Sequence, residues 1–171
     1  MIKCGDFAKK LSGKKQKKSA EKMTEIKIEF PAAVFFSSGV RDFVFSVAKN
    51  LAHLSDAWAF RFQSVADELC NNAVEHGSSP DAPVKCIFRF LPKKYFEIEV
   101  FDAGTGKKQK SAAEIKTIYE RQKSRDAMKI AGIRGRGLSH IVAPIVDEVS
   151  FFDHQNGGLS VRVRKKISFS R

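Results

Sequence analysis

The sequence has few features of membrane-spanning, secreted or metal-cluster proteins. Its 171 residues include no apolar run near the roughly 18 residues that a membrane helix needs. The N-terminus has no apolar segment of the kind that a secretory signal contains. Cys4, Cys70 and Cys86 are an odd number of cysteines at long spacings, which is typical neither of a disulfide scaffold nor of a zinc site. These features favour a single-domain cytoplasmic protein.

Positive charge is concentrated in two segments. The formal net charge is +12, from 31 Lys and Arg against 19 Asp and Glu. Residues 1–20 contain seven Lys and one Asp, and residues 107–136 contain ten basic and three acidic side chains. The lysine-rich start, without aromatic residues after Phe7, predicts a disordered basic arm over residues 1–22 and leaves open a weak attraction to RNA or membranes. The rest of the chain is close to neutral.

The sequence after the arm alternates between strand-like and helix-like patterns. Residues 25–30 alternate polar and apolar side chains, which predicts a strand. Apolar residues at helical spacing predict one helix whose buried stripe runs from Val40 to Leu51, and a second that begins at the Ser55-Asp56 cap and ends at Gly77. Further strands are predicted at 84–90, 96–100, 148–152 and 159–167, and a helix from Leu138 to Val146. This order predicts an α+β layer sandwich with a mostly antiparallel sheet.

The second helix contains the first candidate functional segment, Glu68–Gly77. Glu68 and Asn72 lie one helical turn apart beside the apolar face. The amide oxygen of Asn72 can bind a hard cation, and the carboxylate of Glu68 can accept a proton. An ordinary solvated helix surface uses the same residue types, and His76 equally fits a structural surface position.

The second candidate segment follows a predicted strand. Asp102 keeps the parity of Phe96, Ile98 and Val100, so we expect its carboxylate to face the core and to need hydrogen-bond donors. An adenine amino group or a nearby backbone N–H would serve. Gly104 and Gly106 permit a tight turn and the close approach of a ligand, but a strand-end Asp-Gly turn without any ligand is the alternative interpretation.

The third segment, residues 132–141, is a glycine-rich loop that opens a predicted helix. Free backbone N–H groups, the positive helix end and the guanidinium groups of Arg134 and Arg136 favour phosphate binding. The loop is not a Walker A motif, because no Gly-Lys-Ser/Thr follows, and it lacks the preceding parallel strand unit of a dinucleotide fingerprint. Residues 103–136 before it are rich in Gly, Lys, Arg and Ser, with a short helical pattern near Ile115, Ile118 and Tyr119, and predict a functional lid.

The order and spacing of these three segments resemble the GHKL ATPase superfamily of gyrase, MutL, Hsp-type chaperones and histidine kinases, the Bergerat fold. Within it, residues 24–168 are similar to the small bacterial anti-sigma factor serine-protein kinases of partner-switching systems. The closest stretches are Glu68–Gly77 and Gly135–Leu138 continuing to Val149. The resemblance implies a histidine-kinase-like ATPase domain over residues 23–171, with helices on one face of the sheet and an ATP lid at about 103–136.

The resemblance also implies ATP and Mg²⁺ as cofactors and assigns roles to residues. Asn72 would coordinate Mg²⁺, and Glu68 would be the general base that accepts the proton of a serine hydroxyl. Asp102 would bind the adenine amino group in a pocket shaped by Gly104 and Gly106. The other implied nucleotide-binding residues are His76, Arg134, Gly135, Arg136, Gly137 and Leu138.

The function implied by the resemblance is an ATP-dependent regulator with two activities. It would hold a sigma factor inactive and phosphorylate a serine of a small anti-sigma antagonist, and it would form a homodimer. The family usually has a glycine where Arg134 stands, and we expect Arg134 or Arg136 to reach a terminal phosphate. The alternatives are a catalytically inactive nucleotide-dependent binding module of the same fold and a basic nucleic-acid-binding protein, which the charge alone supports.

Overall fold

The computed structural model describes residues 22–80, 82–107, 109–123, 137–155 and 157–167. The predicted order of strands and helices is confirmed. Most of the predicted basic arm and residues 124–136 of the predicted lid lie outside the described residues. The elements, in chain order, are β1 (Thr24–Pro31), α1 (Val34–Asn50), α2 (Asp56–Asn72), the π-helical turn π1 (Ala73–Gly77), β2 (Pro83–Leu91), β3 (Tyr95–Phe101), α3 (Ala112–Lys123), the π-helical turn π2 (Leu138–Val142), β4 (Glu148–Asp153) and β5 (Leu159–Lys166).

The strands form one antiparallel sheet in the order β1-β2-β3-β5-β4. The register pairs Ile98 of β3 with Phe88 on one side and with Val163 on the other, so these three side chains share a face. Alternate side chains of a strand point to the same face, and the helices pack on this one, so all three residues are buried in the core. The predicted α+β two-layer sandwich with helices on one face of the sheet is therefore confirmed.

The helices cover this face with the apolar stripes that their spacing predicts. Ser55 caps α2 by accepting a hydrogen bond from the Trp58 N–H at 3.4 Å, and the ring of Phe62 packs edge-on against Phe96 at 5.0 Å between centroids. The described helices include none that is long and apolar enough to cross a membrane.

Three predicted helix boundaries differ from the structure. Leu51 is 37% exposed beyond the end of α1, because the chain turns there and Ala52 enters the core instead. Regular α-helix ends at Asn72, and the wider turn π1 continues to Gly77. The helix predicted from Leu138 to Val146 is helical only through π2, since a turn follows and leads the chain into β4.

The open face of the sheet carries a layer of ion pairs. Glu97 and Glu99 of β3 point away from the helices, yet each is only 2% exposed. The guanidinium of Arg89 bridges the two carboxylates at 2.7 and 2.6 Å, and Arg162 and Arg164 contact them from β5 at 3.0 and 2.7 Å. The arginine side chains thus cover the centre of this face with their own aliphatic stems.

Candidate functional site

A cavity of about 190 Å³ lies between the C-terminal end of α2, the core face of β3 and β5, and helix α3. Most of its wall is apolar side chain or glycine, as in small-molecule sites generally. The polar residues that line it are Asn72, His76, Asp102, Gln109 and Lys110. The structure therefore brings the first two candidate segments of the sequence and Leu138 of the third together at one cavity.

Asp102 follows the last residue of β3 and is held by two backbone donors. Its Oδ1 accepts hydrogen bonds from the N–H of Gly104 at 2.9 Å and of Leu159 at 3.0 Å. Burial raises the pKa of the Asp102 carboxyl above its ordinary value, although these bonds and the nearby His154 act in the opposite direction. Oδ2 accepts no hydrogen bond from a described residue, so it is available to a donor on a ligand.

The loop after Asp102 is locked against π1. The N–H groups of Thr105 and Gly106 both donate to the carbonyl of Gly77, at 3.1 and 3.3 Å. Gly104 adopts a φ of +66°, which side chains disfavour, and a Cβ there would overlap the carbonyl of Gly157. Gly77 contacts the Asp102 side chain so closely that a Cβ at position 77 would overlap Oδ2. These glycines set the shape of the cavity at Asp102.

Glu68 and Asn72 form a hydrogen-bonded pair at the other end of the cavity. The Nδ2 of Asn72 donates to Oε1 of Glu68 at 2.8 Å, which leaves the amide oxygen of Asn72 without a role in this bond. Asn72 lines the cavity, whereas Glu68 lines a neighbouring surface groove between α1 and α2. The pair therefore connects the cavity with a surface that a second molecule can reach.

The remaining predicted site residues divide into three groups. His76 and Leu138 line the cavity, and the His76 side chain is 64% exposed beside Glu75. Gly137 packs on the carboxylate of Glu68, where a Cβ would overlap it. Arg134, Gly135 and Arg136 lie outside the described residues.

Sequence reasoning missed two parts of the cavity wall. Ile115 and Ile118 of α3 close one side; their spacing predicts the helix, but nothing local indicates that this helix lines the cavity. Gly157 at the β4–β5 turn also lines the cavity, and Gly158 beside it contacts the carbonyl of Asp102 so closely that a Cβ would overlap it. The Gly-Gly pair predicts a hairpin turn, but nothing local indicates that this turn packs against Asp102.

The donors at the site suit a cation that is shared with a bound anion. Among the described residues there is no group of three or more His, Cys, Asp and Glu side chains that could hold a metal ion. Mg²⁺ commonly binds through few protein oxygens together with substrate phosphates and water. The amide oxygen of Asn72, which accepts no hydrogen bond from a described residue, fits that kind of site at the cavity, and no protein-only metal cage is needed.

Comparison with family models identifies the family of the chain. The family model described as histidine kinase-like ATPase domain matches residues 30–165, which is more than half of the chain and includes both ends of the cavity. A search of curated proteins finds no match.

Proposed function

We propose a function for this chain from one premise: the chain belongs to the histidine kinase-like ATPase domain family. We propose that its cavity is the ATP site. We propose that the chain is an ATP-binding anti-sigma regulatory factor that sequesters a sigma factor and phosphorylates a serine of an antagonist protein. The observation that carries the kinase half is the Glu68–Asn72 pair, which joins a candidate base to a candidate metal ligand at 2.8 Å.

The two ends of the cavity suit the two ends of ATP. The free Oδ2 of Asp102 would accept a hydrogen bond from the adenine amino group within the apolar wall. The triphosphate would extend toward Asn72 and Leu138, with Arg134 or Arg136 at a terminal phosphate. Mg²⁺, held by the Asn72 amide oxygen and the phosphates, would neutralise phosphate charge.

Glu68 is positioned to act as the general base of phosphoryl transfer. The serine Oγ attacks the γ-phosphorus, its proton passes to the Glu68 carboxylate, and the bond to the β–γ bridging oxygen breaks to release ADP. Asn72 holds one carboxylate oxygen and Gly137 packs on the same group, so its orientation is fixed before the acceptor arrives. The groove beside Glu68 gives an acceptor protein access to this carboxylate.

Phosphorylation would switch the partners of the regulator. A phosphoserine adds close to two negative charges, and it would break the antagonist complex and free the regulator to bind its sigma factor again. We place this exchange in the cytoplasm and expect the regulator to act as a homodimer.

The open sheet face does not favour the alternative of a nucleic-acid-binding protein. On this face Lys27 pairs with Glu25 at 3.1 Å and Lys166 pairs with Glu148 at 3.3 Å, whereas Lys85 lies over the ring of Phe101 at 4.3 Å. Paired cations have less attraction left for phosphates of a polyanion.

Calorimetry of ATP binding with and without Mg²⁺ tests the first half of the proposal. We expect micromolar affinity, about −8 kcal/mol, in the wild type with Mg²⁺ and weaker binding without it. Asn72→Ala should bind ATP at this weaker level whether or not Mg²⁺ is present. No ATP binding by the folded wild type would overturn the proposal.

Phosphoryl transfer separates the kinase from an inactive binding module. Extract from source cells is heat-treated, supplied with [γ-³²P]ATP and the protein, and the labelled serine is mapped by mass spectrometry. We expect Glu68→Gln to reduce labelling by about 10²–10⁴-fold while ATP affinity is retained. Equal labelling with the wild type and with Glu68→Gln would reject Glu68 as the base. No labelled protein with the wild type would favour the inactive binding module.

A further inference from the structure

Lys110 is the only Lys or Arg among the described residues that line the nucleotide cavity. It stands between β3 and α3, in the first part of the predicted lid, and it was not among the site residues that the sequence motifs indicate. Its ammonium forms no ion pair within 4.0 Å of a carboxylate of the described residues, although it attracts Glu114 over a longer distance. A cation without a close carboxylate partner at the wall of a largely apolar cavity is suited to an anionic group of the ligand.

The backbone next to Lys110 is fixed by three hydrogen bonds. The N–H of Ser111 donates to Oε2 of Glu114 at 2.7 Å and the N–H of Glu114 donates to Oγ of Ser111 at 3.3 Å, which is a capping box at the start of α3. The N–H of Ala112 donates to Oδ1 of Asp153 on β4 at 2.7 Å. Lys110 is therefore held at the cavity although its own side chain is exposed.

These contacts place Lys110 at the end of the sheet that carries Asp102. Leu159 of β5 pairs with Asp153 on one side, and on the other side its carbonyl accepts the N–H of Asp102 at 2.9 Å. Asp153, which holds the start of α3, and Asp102 thus flank the same residue. Asn72 and Leu138 mark the opposite end, where the distal phosphates would lie.

We propose that Lys110 binds the α-phosphate of the nucleotide and so distinguishes nucleotides from nucleosides. The inference rests on the proposed ATP site, with the adenine at Asp102. The ribose and the first phosphate follow directly after the base, so a cation at this end of the cavity meets the α-phosphate rather than the β- or γ-phosphate. Nucleotides that share the α-phosphate then share this contact.

The test compares adenosine, AMP, ADP and ATP on the full chain by displacement of a fluorescent ATP analogue. We expect Lys110→Gln to weaken AMP, ADP and ATP by a similar factor of about tenfold and to leave adenosine unchanged. Lys110→Arg should restore most of the affinity, since it keeps the positive charge. The matched control is Lys116→Gln, an exposed lysine of α3 that does not line the cavity, and we expect it to change none of the four affinities.

Added salt gives a second readout. Because an exposed ion contact is screened by salt, ATP affinity should fall more steeply with NaCl concentration in the wild type than in Lys110→Gln. A loss confined to ATP would assign Lys110 to the γ-phosphate, and an equal loss for adenosine would assign it to the base or to the wall; either result overturns the inference. If the wild type binds ATP and Lys110→Gln binds each of the four ligands as tightly as the wild type does, only the inference about Lys110 fails. If the wild type binds none of the four ligands, the proposed ATP site fails as well.

Discussion

The absence of a side chain at Gly77 leaves room for the Asp102 carboxylate at the cavity. A Cβ at position 77 would overlap the Asp102 side chain, and the backbone donors Gly104 and Leu159 hold the carboxylate from the other side. We expect Gly77→Ala to weaken ATP binding by at least about tenfold and to lower the free energy of unfolding by about 1–3 kcal/mol. Calorimetry and urea unfolding measure the two effects.

Gly39 provides the matched control for this substitution. It lies inside α1, and a Cβ there would have no atom within 4 Å. Gly39→Ala should therefore raise the free energy of unfolding by about 0.5–1 kcal/mol and leave ATP affinity unchanged. If Gly77→Ala behaved in the same way, the close packing of Gly77 on Asp102 would have no importance for the site.

The free oxygen of Asp102 gives a prediction about base selectivity. In Asp102→Asn the amide oxygen can keep the backbone hydrogen bonds from Gly104 and Leu159, while an NH₂ group takes the place of Oδ2. The adenine amino group then meets a donor instead of an acceptor. We expect ATP affinity to fall by about 10–100-fold and the ratio of ITP to ATP affinity to rise, because inosine has a carbonyl at that position.

Competition binding with ATP and ITP measures this ratio, and circular dichroism checks that the variant is folded. An unchanged ITP to ATP ratio would mean that Oδ2 does not contact the base.

At the scale of elements, the ion-pair layer on β3 is expected to stabilise the sheet. Glu99 accepts hydrogen bonds from Arg89, Arg162 and Ser160 and is 2% exposed. Glu99→Gln removes one of the buried carboxylates that Arg89 and Arg162 contact, and we expect the free energy of unfolding to fall by about 2–4 kcal/mol. Glu148 is the control: its side chain is 44% exposed on an edge strand, and Glu148→Gln should cost less than about 1 kcal/mol.

Urea unfolding of both variants checks this prediction. A loss for Glu99→Gln no larger than that for Glu148→Gln would show that solvent and the remaining carboxylates compensate the arginines for the loss of Glu99.

The sequence patterns predict the helices and strands whose buried side chains recur at a regular spacing along the chain. The spacing of Phe62, Val65 and Leu69 in α2 predicts a stripe that the structure buries, and alternation predicts the buried face of β3. The ion-pair layer could not be predicted in this way, because Glu99 meets Arg162 only after β5 has paired with β3, 63 residues later. Pairing over such distances leaves no local periodicity.

The candidate site shows the same division. Glu68 and Asn72 are four residues apart, so a helix alone brings them within hydrogen-bond distance. Gly157 reaches the cavity because two strands pair across the sheet, and Lys110 reaches it because Asp153 holds the start of α3. The motifs thus predict the ends of the cavity, and the fold supplies its walls.

At the scale of the whole molecule, the dependence of stability on pH reflects two kinds of carboxyl group: those whose pKa is lowered by folding and one whose pKa is raised. Burial alone would raise the pKa of Glu99, but hydrogen bonds from Arg89 and Arg162 outweigh it and hold that pKa below its ordinary value. The pKa of Asp147 is lowered in the same way by the N–H of Lys166 and by Lys165, against the effect of burial. Asp102 differs, since burial leaves its pKa raised.

These directions fix the sign of the change. A carboxylate whose pKa is lowered by folding contributes stability above its unfolded pKa, roughly 4, and loses it as pH falls through the folded pKa. Asp102 acts oppositely: its carboxylate costs stability at neutral pH, and the folded state takes up that proton more readily than the unfolded chain as pH falls.

Urea unfolding at a series of pH values between 7 and 3 should therefore give three different slopes. The wild type loses stability mainly below about pH 4, as the lowered carboxylates are protonated. Glu99→Gln lacks one of these groups and should lose less over the same interval, whereas Asp102→Asn lacks the opposing group and should lose more. Parallel curves for the three proteins would contradict both assignments, because neither carboxylate would then titrate differently in the folded and unfolded chain.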